Sequence, residues 1–141
     1  MVIVLLFLIL GIAWFTVSTR NQEPMQVFAA IVNRDCAPWD GAAFTVSIPY
    51  DSISTIEVSI WQSPDIKLPT VYSFPDESGR IGNAVRRSQI GLAEQLTGKL
   101  FFWRVEQGMP IEGEFNFTSG RGGRFEGKFK AEWGNQIAVC G

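Results

Sequence analysis

Polar and apolar residues alternate along most of this chain. In AFTVSIP, Phe44, Val46 and Ile48 fall on one side of an extended backbone; in STIEVSIW, Ile56, Val58 and Ile60 do the same, with Glu57 and Ser59 opposite. Successive side chains of a strand point to opposite faces, so a period of two with one apolar side predicts half-buried strands. MQVFAAIV and TVYSF predict two more, and clusters rich in Pro, Asp and Gly, such as APWDG and SFPDESGR, mark turns between strands.

The most informative stretch is PIEGEFNFTSGRGGRFEGKFKAEW, residues 110–133. With Ser119 to Gly123 as a loop and Thr118 opposite Arg124, Phe117 faces Phe125, Phe115 faces Gly127, Gly113 faces Phe129 and Ile111 faces Ala131. The other face then sets Glu114 against Lys128 and Glu112 against Lys130, opposite charges worth ~0.2–1 kcal/mol per pair. A slip of one residue would turn rings onto charges, so both faces select one register. A glycine weakens a strand unless a neighbouring ring covers the gap, which gives Gly113 and Gly127 a reason. The SGRGGR loop can form a nest of backbone N–H groups, with Arg121 and Arg124 as a candidate anion contact. Common phosphate loops run from a strand into a helix, and here strand follows strand, so a plain turn is the preferred reading.

GKLFFWRVEQG predicts a third strand of this meander, joined through a turn at 106–109. Leu100 and Phe102 point one way, and Phe101, Trp103 and Val105 point the other. A strand apolar on both sides needs two covers. For the second side the preferred cover is internal, from the segment Ile81 to Leu96 or a second sheet; otherwise Phe101, Trp103 and Val105 form an interaction surface. Within that segment Ile81, Val85, Leu92 and Leu96 have helix-like spacing, although Gly82 and Gly91 each weaken a helix by ~1 kcal/mol relative to Ala. The expectation is a short helix or an ordered loop.

Alternation is absent at the start of the chain. MVIVLLFLILGIAWFTV carries no charged side chain, and as a helix rising ~1.5 Å per residue it would span ~25 Å, against a hydrocarbon core of ~30 Å. Retention as an anchor is preferred to cleavage as a signal, because basic residues ahead of the run and an Ala-rich cleavage pattern are both lacking. The organisation read from the sequence is an anchor or signal over 1–19, a polar linker over 20–26 and a β domain over 27–141. Cys36 and Cys140 are the two cysteines, and pairing them would tie the tail to the first strand across about 104 residues.

Composition narrows the function. The 141 residues include no histidine, which removes Ser-His-Asp and Cys-His nucleophile pairs, imidazole acid–base chemistry and histidine-ligated zinc. No catalytic, cofactor-binding or metal-binding residue is assigned; Asp35, Asp40 and Asp51 match no metal-loop spacing. A net charge of -2 with no basic stripe argues against nucleic acid. Trp39 in CAPWDG is expected to pack on the disulfide rather than to stack on a sugar, and the NFT triplet at Asn116 fits a glycosylation acceptor inside a predicted strand.

The fold class that follows is mostly β: a small antiparallel β-sandwich or flattened barrel preceded by one N-terminal hydrophobic helix. Functionally, the expectation is a non-catalytic, membrane-anchored protein with its β domain outside the cytoplasm, secreted if the leader is cleaved. Its partners would be the lipid bilayer, through the helix, and a protein of a membrane or cell-surface assembly. The alternative is an exported calycin-like module holding a small apolar ligand in an interior lined by Phe44, Phe115, Phe117, Phe125 and Phe129.

Overall fold

Strands formed by the alternating segments close on one another. The computed structural model describes residues 23–64, 67, 70–105 and 109–141. Eight strands run through them: β1 (Val27–Cys36), β2 (Ala42–Pro49), β3 (Ser54–Ile60), β4 (Val71–Phe74), β5 (Gly82–Ser88), β6 (Ala93–Arg104), β7 (Ile111–Ser119) and β8 (Arg124–Trp133). Seven of them make a closed barrel in the order β6-β5-β3-β2-β1-β8-β7, with β7 returning to β6. The pairings are antiparallel except that of β1 with β8, which run parallel from Val27 beside Lys128 to Val32 beside Trp133. Strand β4 is an extra strand on the edge of β6 that β5 also uses, pairing Val71–Phe74 with Phe101–Gly98 beyond the point where β5 leaves that edge and turning Tyr72 and Phe74 into the core. The expected anchor over 1–19 and the first part of the linker lie outside the described residues, as do residues 106–108 of the β6–β7 turn. Among the described residues no helix is long and apolar enough to cross a membrane.

The β7–β8 hairpin has the register read from its sequence, from Ile111 opposite Ala131 to Thr118 opposite Arg124. Its loop closes where Ser119 N–H donates to the Gly123 carbonyl (2.8 Å). Phe129 covers Gly113, so closely that a Cβ there would lie 2.7 Å from the ring. Over Gly127 the ring nearest a Cβ position belongs to Phe28 of the parallel neighbour β1, a contact that hairpin geometry alone does not disclose.

Rings fill the barrel. Phe44, Phe74, Phe115, Phe117 and Phe129 are fully buried. Ring contacts with centroids 5.1–6.3 Å apart run from Phe125 through Tyr50, Phe28, Phe115, Phe117, Phe74 and Tyr72 to Phe102, which meets both Phe44 and Phe129. Burying each such side chain contributes on the order of 1.5–3 kcal/mol. Because rings take this volume, β5 brings mostly small residues to the inside, Gly82 and Ala84, followed by Arg86.

That choice explains where the sequence misleads. The segment Ile81 to Leu96 is neither a helix nor a loop but β5, a turn and the start of β6. The inward positions of β5 carry no large aliphatic residue to reveal a period of two, and the segment's helix-like spacing joins residues of unlike environment. Val85 faces outward opposite Glu57, Leu92 sits exposed in a turn, and Leu96 is in the core.

Candidate interaction surfaces

Closing the barrel assigns each loop to one of two ends. At one end lie the β1–β2 turn, the approach to β4, the start of β7 and the tail after β8. At the other lie the β2–β3 turn, the β5–β6 turn, the β7–β8 loop and the chain entering β1.

The first end is tied by the Cys36–Cys140 disulfide, which spans a sequence separation of 104. In the APWDG turn Ala37 N–H donates to the Gly41 carbonyl (2.8 Å) and Asp40 takes a φ of 62°. This turn projects Trp39, 52% exposed, edge-on to Trp61 with centroids 5.6 Å apart. The Trp39 ring meets Trp61, because β3 ends beside the turn. Trp133 closes β8, donating Nε1–H to the Met109 carbonyl (3.1 Å) beneath the Arg34 guanidinium at 5.5 Å. Trp103 lies near the end of β6 with the Lys128 ammonium 5.1 Å above it. Strands β1, β3, β6 and β8 all point to this end, so the four described tryptophans gather there.

The predicted trio on β6 is split. A register shift between Phe102 and Arg104 makes Trp103 the extra residue of a bulge, so alternation restarts with Arg104 outward opposite Glu112. Val105 therefore packs against the core, while Phe101 is half-buried and Trp103 is 55% exposed on the outer wall. The segment Ile81 to Leu96 does not supply the internal cover expected for that wall, because it is itself wall. Lys128 faces Glu114 in the ladder, yet among the described residues no ion pair joins them and its ammonium turns to Trp103.

At the opposite end Arg121 and Arg124 are exposed, and Arg124 is paired with Glu126 at 3.6 Å. Asp51 organises the β2–β3 turn: its Oδ1 accepts from Ile53 N–H (2.9 Å) and from the Ser54 hydroxyl (2.8 Å). The Ile53 hydrogen bond foremost holds its carboxyl below the usual range; burial opposes it, and the hydrogen bonds from Ser54 and the Arg86 charge outweigh that opposition together with Ile53. Gln89 ties this turn to the β5–β6 turn, donating its N–H to the Ile53 carbonyl (2.9 Å) and its amide to the Ser52 carbonyl (2.6 Å). The two turns carry Ile53, Ile90 and Leu92, 56%, 81% and 66% exposed. Sequence reasoning missed these three; the available signal was one aliphatic residue inside DSIS and two inside SQIGL, where turn residues are otherwise polar or glycine.

Asp35, Asp40 and Asp51 do not gather at one site. Asp35 accepts from Cys36 N–H (2.8 Å) and the Thr45 hydroxyl (3.0 Å) at the disulfide end, with Asp40 in the adjacent turn, while Asp51 lies at the other end. Among the described residues no group of three or more acidic or thiol side chains is placed to hold a metal. Tyr72 donates to Gln62 Oε1 (2.8 Å), and burial pushes its phenol up to about 12. Asn116 is exposed on the outer face of β7, opposite Glu126. Comparison of the chain with protein-family models, with curated proteins and with solved structures finds no match.

Proposed function

We propose that this protein is a non-catalytic, membrane-anchored accessory subunit whose barrel stands outside the cytoplasm and offers its disulfide-tied end to a protein partner. The observation that carries this reading is the gathering of Trp39, Trp61, Trp103 and Trp133 at the end away from the chain's entry into β1. Tryptophan joins a large apolar body to one N–H donor and dominates the energetics of many protein interfaces, so a half-exposed set is suited to a partner that is apolar and hydrogen-bonding at once. The disulfide supports an oxidising compartment. The calycin-like alternative receives less support: each of Phe44, Phe115, Phe117, Phe125 and Phe129 is in ring contact with another aromatic residue, which favours an interior occupied by its own side chains.

Photo-crosslinking in the native membrane tests the proposal. A crosslinking residue in place of Trp39 or Trp103 is expected to capture one and the same protein, while one at Lys99, on the outer wall of β6, captures none. Absence of an adduct from both tryptophan positions would sink it.

A further inference from the structure

We propose that the barrel stands end-on to the bilayer, with Ile53, Ile90 and Leu92 immersed at the lipid interface; this rests on the reading of residues 1–19 as an anchor. Three observations converge on it. The first is the three side chains, which project from two turns held together by Gln89 and border a surface cleft with Arg86 and Arg121. Aliphatic tips with no neighbouring cover lose free energy in water and regain it wherever apolar surface is offered.

The second is the route of the chain. Lys128 N–H donates to the Gln26 carbonyl (2.9 Å), which fixes the backbone to β8 at the end that carries these tips. Nine Cα steps separate Val17 from Gln26, a reach of at most about 30 Å. An anchor ending at Val17 thus keeps this end, rather than the tryptophan end, next to the membrane.

The third is charge. Arg86 lies 3.9 Å from both Asp51 and Glu94, Arg87 pairs with Glu57 at 3.0 Å, and Arg124 pairs with Glu126. Arg121 is in no ion pair among the described residues and is free to meet a lipid phosphate. With the other three arginines matched by acids, the contact is apolar in character, reaching the ~5–10 Å depth of an interfacial side chain, and depends little on salt.

The test uses the full chain reconstituted in vesicles of mixed phosphatidylcholine and phosphatidylglycerol. A nitroxide is attached through an introduced keto amino acid, which leaves the disulfide intact, at Ile53, Ile90, Leu92 or, for comparison, Ile137. Collision with dissolved oxygen relative to a water-soluble nickel complex is expected to be several-fold higher at the first three positions than at Ile137, and unaltered by high salt. In Ile53→Ser/Leu92→Ser the ratio at position 90 should fall toward that at 137. Vesicle-bound protein with all four probes equally water-exposed would overturn the inference and leave the anchor standing, whereas protein that fails to float with the vesicles would remove the anchor reading itself. Dipolar broadening between labels at position 90 would place a second copy of the chain there, and loss of the effect in salt would make the contact electrostatic; each overturns the proposal.

Discussion

The two ends of this barrel share one interior and differ in what they show to the outside. At the disulfide end the exposed apolar groups are tryptophans beside the tail residues Ile137 and Val139, and two of the tryptophans, Trp133 and Trp103, are already engaged through ring faces or an N–H group with Arg34, Lys128 and the Met109 carbonyl. At the chain-entry end they are the aliphatic tips Ile53, Ile90 and Leu92, which have no polar handle. A side chain with a donor and a polarisable face gains from a structured, hydrogen-bonding partner, while an aliphatic one gains only by leaving water. On the proposed reading the contrast would separate two kinds of neighbour, a protein at one end and a lipid surface at the other.

The sharpest way to break the comparison is to show that the ends differ in core as well as in surface. Phe115 contacts Phe28, Tyr50 and Phe117 toward the entry end, and Phe102 contacts Phe44, Tyr72 and Phe129 toward the other. Phe115→Ala and Phe102→Ala should each cost about 3–5 kcal/mol in urea unfolding. A much smaller loss for one of them would mean that its end is loosely packed, and the exposed groups there would need a different account.

Next in size is the disulfide. Closing a loop of 104 residues stabilises by ~4.7 kcal/mol on chain entropy alone. The tail it holds is thinly packed, with Ile137 and Val139 88% and 91% exposed, so breaking the bridge also frees about seven native residues. The same arithmetic assigns ~2.3 kcal/mol to that release, leaving a net loss of about 2 kcal/mol for Cys36→Ser/Cys140→Ser. Amide exchange should quicken in the tail and the β1–β2 turn and stay unaltered in the β2–β3 turn. Equal quickening at both turns would show that the ends are not independent.

These elements were unequally legible in the sequence. The β7–β8 register was readable because both faces of the hairpin discriminate, one by ring against glycine and the other by charge sign. The closed barrel was only half readable: the parallel β1–β8 pairing and the place of β4 depend on contacts far apart in the chain, to which a local period is blind. In β5 the alternation was hidden because Gly82, Ala84 and Arg86 take the inward positions. The β6 surface was mistaken at a single residue, since a bulge at Trp103 reverses the faces after it and leaves no mark in the alternation itself. For the tryptophan end, the residues were visible but their grouping was not, because it requires knowing which way each strand runs.

The two ends also titrate in opposite directions. Asp51, at the entry end, has its pKa lowered from the ordinary 3.8, so on acidification the unfolded chain takes up that proton first. Its stabilisation is complete above the ordinary value and is lost as pH falls through the lowered one. Tyr72, toward the disulfide end, has a phenol raised to about 12 from 10.0, so between those values the unfolded chain releases a proton that the folded one keeps, and stability declines as pH rises. Asp51→Ala and Tyr72→Phe should each cost about 1 kcal/mol at neutral pH through lost hydrogen bonds. The first should shallow the acid arm of the stability profile, in part only because the Asp76 carboxyl is also held low by Ser78. The second should flatten the alkaline arm.

The smallest effect on stability carries the most information about function. Trp39 is half-exposed, and its edge-on contact with Trp61 is an aromatic pair worth ~0.5 kcal/mol at so open a site. Trp39→Ala should therefore leave the unfolding transition nearly unchanged while weakening partner capture at the disulfide end, at least tenfold if the ring is a central contact. Gly41→Ala separates ring position from ring presence, because a Cβ at residue 41 would lie 2.8 Å from Trp39 Nε1 and displace the indole without removing it. If capture survives Gly41→Ala but not Trp39→Ala, the surface needs apolar area alone. If both abolish it, the partner reads the orientation of the pair, and the tryptophan end is a shaped site, as distinct from the unshaped aliphatic tips at the other.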